Sequence, residues 1–157
     1  MKHFTCDGLP FLACKVQSND DSFIANDGVV LKGNLFRAGS LPYFYGPEGR
    51  EKNLIDFYLQ VSGVLKRYGH HINELKLSEL GAWSIEMQTG LRLFLGKDEL
   101  KNRLERFIAL EEYRRMTGDE RPVLSADARY PGGLAVRFGD ENFGQISRNL
   151  AHREIDL

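Results

Sequence analysis

The chain has 157 residues and a formal charge of −1, from 21 Lys and Arg against 22 Asp and Glu. That length holds one domain with a true apolar core, and 42% hydrophobic with 27% charged residues excludes a disordered chain. The balanced charge argues against a nucleic-acid footprint or a broad anionic-membrane surface, which take a basic excess.

No export signal opens the sequence. Its longest early apolar run, Leu9 to Cys14, is six residues and contains Pro10; a signal-peptide core takes about 7–15 and a membrane span about 20. Taken as printed, the chain reads as cytoplasmic. Residues 1–20 show no sustained periodicity and read as a poorly ordered lead-in. Cys6 and Cys14 are too few for a disulfide framework and lack zinc-site spacing. A small ring in an oxidising compartment stays open beside the simpler reading, two inert thiols.

From Ser22 to Leu31, two short apolar runs flank Asn26-Asp27-Gly28, a tripeptide suited to a tight turn, which predicts a β-hairpin. A loop punctuated by Gly33, Gly39 and Ser40 leads to LPYFYGPEG at 41–49, where Gly46-Pro47 breaks any regular element. Leu54, Phe57, Tyr58, Val61, Leu65 and Tyr68 recur at spacings of three and four, one face of a helix ending at Gly69. Leu75 and Leu77 alternate with charged residues as a half-buried strand. Trp83, Ile85 and Met87, then Leu91, Leu93 and Leu95, predict a hairpin turning at Gln88-Thr89-Gly90. Asp98 is the expected N-cap of a second helix, with Leu100, Leu104, Phe107 and Ile108 as its apolar stripe. Lys101–Glu105 and Glu111–Arg115 sit four apart on its expected wet side, and Gly118 closes it. Pro122 to Phe138 reads as two strands around Pro131-Gly132-Gly133, and 139–157 as a polar flexible tail. The sum is an α+β domain over 21–138: an antiparallel sheet, two amphipathic helices packed on it, and a C-terminal edge hairpin.

Catalytic signatures are missing. There is no GxxxxGK[ST], GxGxxG, Gly-x-Ser-x-Gly, Cys-x-x-Cys or His-Glu-x-x-His. Adjacent strand residues point to opposite faces, so His70 and His71 do not share a metal; they read as an exposed helix-to-strand junction. No catalytic residue, metal ligand or cofactor is assigned, and no nucleic acid or small-molecule substrate is expected.

Three stretches in register resemble the C-terminal β domain of the bacterial cell-division protein family FtsQ, called DivIB in Gram-positive bacteria. LPYFYGPEG at 41–49 resembles that family's Leu-Pro-x-Leu-x-Gly-Pro-x-Gly. LKLSELGAWSIEMQTGLRLFLGKDELKNRLERF at 75–107 is similar to its Leu-x-Leu-Ser, Trp, hairpin, Leu-Gly-Arg or Lys, and helix with Arg-Leu-x-Arg-Phe. DARYPGGLAVRF at 127–138 is close to Asp-Leu-Arg-Tyr-x-x-Gly-x-Ala-Val-x-Trp. The likeness runs from about residue 20 to 138. Family members carry a cytoplasmic tail, one transmembrane helix and a POTRA domain ahead of this domain. The resemblance thus implies the periplasmic face of the inner membrane, in a divisome scaffold that is not an enzyme and that recruits the membrane-anchored coiled-coil proteins FtsB and FtsL. It implies strand addition of FtsB to the last, open edge of the sheet.

On that edge the resemblance points to Arg129, Tyr130, Gly132, Gly133, Ala135, Val136 and Phe138. Leu134, Val136 and Phe138 alternate with Ala135 and Arg137, so one side can pack the core while small residues let a second backbone approach. Arg129 reads either as the partner of an acidic FtsB residue or as a surface arginine paired with Asp127. Tyr130 reads either as an interface tyrosine or as a cap on the core. Phe138 stands where the family more often has Trp, and Leu80-Gly81-Ala82 where it often has a basic residue before the Trp. The only tryptophan, Trp83, reads as core. Two competing readings stay open: a fragment without recruiting function, and an α+β enzyme with an unrecognised site.

Overall fold

A computed structural model describes residues 11–17, 20–25, 30–32 and 42–140, with side chains from residue 42 onward. The elements in chain order are β1 (Phe11–Gln17), β2 (Asp20–Ala25), β3 (Val30–Lys32), β4 (Tyr43–Tyr45), α1 (Glu51–Arg67), β5 (Ile72–Leu77), β6 (Trp83–Met87), β7 (Arg92–Gly96), α2 (Leu100–Thr117), β8 (Val123–Asp127) and β9 (Ala135–Phe138). All nine strands join one sheet in the order β3-β2-β1-β4-β5-β6-β7-β8-β9. The class is α+β, as expected.

The sheet is mixed rather than antiparallel throughout. β1 with β4, β4 with β5 and β7 with β8 run parallel. Two of these joints carry a helix between their strands, α1 in one and α2 in the other. A strand–helix–strand crossover returns the chain to the same end of the sheet, and that forces parallel pairing. The hairpins read from the sequence are antiparallel as expected: β2 with β3, β6 with β7 and β8 with β9. The Asn26-Asp27-Gly28 turn lies outside the described residues, whereas Gly90 takes φ 90° at the β6–β7 turn. β1 adds a strand ahead of the expected domain start at residue 21. Cys6, and the end of the expected tail from residue 141, lie outside the described residues.

The core follows from period two. Phe44, Leu75, Ile85, Leu93, Ala126 and Val136 face one another across six successive strands. The first five are all but sealed from solvent and Val136 packs against them. α1 lays Leu54, Ile55, Phe57, Val61 and Leu65 on this row, with the Phe44 ring 5.4 Å from Tyr58. Trp83 is half-buried against Phe57, ring centroids 4.2 Å apart. α2 seals only Phe107 of its expected stripe, while Leu100, Leu104 and Ile108 are partly buried.

Three local expectations are corrected. The α2 N-cap is Glu99, in the left-handed region at φ 51° without a side-chain cap bond, not Asp98. Its carbonyl accepts from Arg103 N–H, and that bond begins the helix. Glu111 is buried rather than on the wet side. Its Oε2 lies 3.2 Å from His70 Nε2, and its Oε1 accepts from Arg114 Nη1 at 3.1 Å. His70 is therefore buried too, its ring 5.4 Å from Phe107, while His71 is exposed. Burial pushes the Glu111 carboxyl up; the close approach of His70 and the Arg114 guanidinium outweigh it and hold the group below its usual value. The junction between α1 and β5 is thereby tied to the C-terminal half of α2.

Candidate functional site

β9 is the last strand of the sheet and pairs only with β8 among the described residues. Among the described residues no strand pairs with its other edge, where N–H and C=O groups form the row that natural sheets otherwise blunt or cover. Along β9 the alternation is as read: Ala135 and Arg137 are exposed, Val136 and Phe138 half-buried against the core. The base of the hairpin is anchored. Gly139 N–H donates to Pro122 O at 2.8 Å, and the Arg121 guanidinium lies 4.2 Å over the Phe138 ring.

At the tip, β8 ends at Asp127, so strand alternation does not carry through to Tyr130. Ala128 is still buried, its N–H donating to Phe94 O at 2.9 Å. Tyr130 then swings out and is 57% exposed, which sets aside the core-capping reading. Arg129 is exposed and grips Asp127 with Nε to Oδ1 at 2.9 Å and Nη2 to Oδ2 at 2.6 Å. This fork lowers the Asp127 carboxyl below its ordinary range and raises the guanidinium above its own. The intramolecular alternative for Arg129 is thus realised. Its Nη1 is not engaged by Asp127, and a guanidinium has five N–H donors.

Behind the tip, the outer sheet face has its own row: Tyr45, Lys76, Ser84, Phe94, Asp127 and Ala135, again one residue per strand. Arg129 lies 5.1 Å over the Phe94 ring. A shallow groove of about 480 Å³ follows this row from Tyr45 past Trp83 and Gly96 to Arg129. It leads toward the open edge. Among the described residues, no group of three His, Cys, Asp or Glu could hold a metal ion.

The model of the C-terminal domain of cell division protein FtsQ/DivIB matches residues 13–129. The chain belongs to the FtsQ/DivIB family. Relatives agree: it is 32% identical to cell division protein FtsQ of Shewanella oneidensis over 114 residues, covering 69% of this chain and 43% of that protein. The FtsQ of Vibrio cholerae is 30% identical over 124 residues, covering 78% and 47%, and that of Aliivibrio fischeri 33% over 108, covering 69% and 41%. The chain spans less than half the length of each of these relatives. No helix among the described residues is long and apolar enough to cross a membrane.

Two departures from the FtsQ pattern now have a place in the fold. Leu80 stands where a basic residue often precedes the Trp, and it is 85% exposed. Phe138 keeps the apolar area of a Trp against the core without the indole donor. Reading residue by residue missed Arg106, which enters the sequence only as the second arginine of Arg-Leu-x-Arg-Phe. Its Nη1 lies 3.0 Å from Tyr130 O and 3.3 Å from Gly133 O, so α2 reaches the turn of the edge hairpin. Nothing in the sequence places a helix arginine against a turn about 25 residues later; that proximity comes only from the parallel β7–β8 joint.

Proposed function

We propose that this domain is a non-enzymatic scaffold of bacterial cell division that takes a strand of an FtsB-type partner onto the outer edge of β9. FtsL is recruited with it, and the site works on the periplasmic side of the inner membrane, where the family's anchored members place it. The observation that carries this reading is the combination at one edge: a strand with no second strand beside it among the described residues, the small residues Gly132, Gly133 and Ala135, and Arg129 and Tyr130 exposed at its tip. Strand addition recognises such an edge through main-chain bonds, with side chains supplying specificity.

Magnitudes say why the tip matters. β9 is four residues long, so an added strand gains only a few main-chain bonds at roughly 0.5–1.5 kcal/mol net each. Association itself costs at least about 4 kcal/mol. Side-chain anchors must supply the surplus, and large exposed aromatics and arginines are the usual ones.

The test is a titration of this chain with the extracytoplasmic segment of FtsB from the same organism, beside Arg129→Glu and Tyr130→Ala. Saturable binding is expected, weakened at least about tenfold by each substitution with circular dichroism unchanged. Binding indifferent to both would move the interface off this edge. No binding by the folded chain would overturn the scaffold reading.

A further inference from the structure

The hairpin tip is poorly equipped to hold its own shape. Its one internal turn bond, Gly133 N–H to Tyr130 O, is long at 3.4 Å. Gly132, at φ 69°, and Gly133 follow Pro131, and paired glycines leave a chain many conformations to lose. Yet the carbonyls of Ala128, Tyr130 and Gly133 all turn toward one point beneath the tip. Three converging carbonyl dipoles repel unless a cation sits among them.

Arg106 supplies it. Its Nη1 lies 3.0 Å from Tyr130 O, 3.3 Å from Gly133 O and 3.5 Å from Ala128 O. One nitrogen has two hydrogens, so the first two bonds are the working ones and the third contact is weak. The residue is half-buried on α2, one position before Phe107, which is sealed in the core. The guanidinium therefore has a rigid base. Its hold on the Tyr130 and Gly133 carbonyls fixes the peptide planes on both sides of Pro131-Gly132. With its carbonyl turned toward α2, Tyr130 keeps its ring in solvent, and the chain enters β9 at a set height.

We propose that Arg106 is the positioning residue of the interaction edge: it orders the Tyr130–Gly133 turn in the free chain and so presents Tyr130 and β9 preformed to an incoming strand. This rests on the strand-addition reading above. The role asks for a multi-donor cation on a fixed arm, which is why glutamine at this position fails and lysine serves only in part.

The experiment compares Arg106→Gln, Arg106→Lys and the control Arg115→Gln, a residue further along α2 whose side chain donates to Arg67 O at the end of α1. Amide hydrogen exchange is followed in the free chains, and binding of the FtsB segment by stopped flow. Arg106→Gln is expected to speed exchange at Gly132, Gly133, Leu134 and Ala135 about tenfold or more, leaving β5 to β7 amides unchanged. Its affinity for the segment falls about tenfold, chiefly through slower association. Arg106→Lys recovers part of both, and Arg115→Gln changes neither. Unchanged exchange at the turn in Arg106→Gln overturns the proposal, as does acceleration spread evenly over the whole sheet. A loosened turn with undiminished affinity overturns it as well. Should the unsubstituted chain ignore the segment while turn protection still depends on Arg106, the partner reading falls and the hold on the turn stands.

Discussion

Two rows of side chains cross the same six strands, one residue apart, and they have opposite fates. The inner row, Phe44, Leu75, Ile85, Leu93, Ala126 and Val136, is apolar and lies under the helices. The outer row, Tyr45, Lys76, Ser84, Phe94, Asp127 and Ala135, mixes rings, charges and small residues and leads to the open edge. A one-residue slip would exchange them, so the burial of the first fixes the display of the second. Core packing and surface display are separated here by a pleat. The sharpest way to break the comparison is to truncate one member of each row. Leu93, fully buried, should lose about 2–5 kcal/mol on substitution by alanine, whereas Ser84→Ala should stay within about 0.5 kcal/mol. Urea midpoints at constant slope decide it. Equal effects would mean that the outer face is covered in the folded chain.

The inner row was legible because alternation is a local signal. Leu75 and Leu77, Ile85 and Met87, and Leu93 and Leu95 each announce a buried face within five residues. The helix stripe from Leu54 to Leu65 is as plain at its own period. β4 was not legible, although Phe44 is at the centre of the core: three residues between breakers leave no period to read. The parallel joints escaped for a different reason, since hairpin turns advertise antiparallel pairing whereas a crossover has no comparable short signal. His70 and Glu111 look like surface residues in sequence; only the packing of the C-terminal half of α2 against the α1–β5 junction buries them as a pair. The proposed interaction edge was legible as residues and not as geometry. Family likeness pointed to Arg129 and Tyr130, while the fork to Asp127 and the reach of Arg106 are properties of the folded hairpin.

A glycine marks where the two rows are locked to α2. Gly96 sits at φ 73°, and a Cβ there would lie 2.5 Å from Arg103 Nη1 and 3.2 Å from Arg129 Cγ. Arg103 has little freedom to yield, because Nη1 already donates to Leu95 O at 2.6 Å. Gly96→Ala should therefore cost about 1–2 kcal/mol from the left-handed backbone alone, less than Leu93→Ala. It should also displace Arg129, so its effect on binding of the FtsB segment should exceed that of Ser84→Ala. A thermal-melt series with parallel titrations separates the two consequences. Lost stability with untouched binding would show that Arg129 does not need its place over Phe94.

The smallest effect concerns two matched forks on the edge hairpin, Asp119–Arg121 near its base and Asp127–Arg129 near its tip. Each aspartate takes both oxygens to an arginine two residues on. The Asp119 carboxyl is lowered from 3.8 to about 2, chiefly by the Arg121 side-chain hydrogen bond; Asp127 is lowered by the same device from Arg129. A carboxyl with a depressed folded pKa adds stability above its unfolded value and loses it as pH falls through the folded one. For Asp119 the window is thus pH about 4 down to about 2, for Asp127 it opens at the same upper end and runs downward, and nothing should change above it. Both pairs touch solvent, so screening keeps the contribution small. Asp119→Asn and Asp127→Asn should each be slightly less stable than the unsubstituted chain at pH 6, with the gap closing toward pH 2 for Asp119 and narrowing below about pH 4 for Asp127. Binding should divide them. Asp127→Asn unclamps Arg129 from its fork and should alter affinity for an acidic strand, while Asp119→Asn, at the far end of β9, should alter it less. Equal changes at the two ends would put the determinant along the whole strand rather than at the tip.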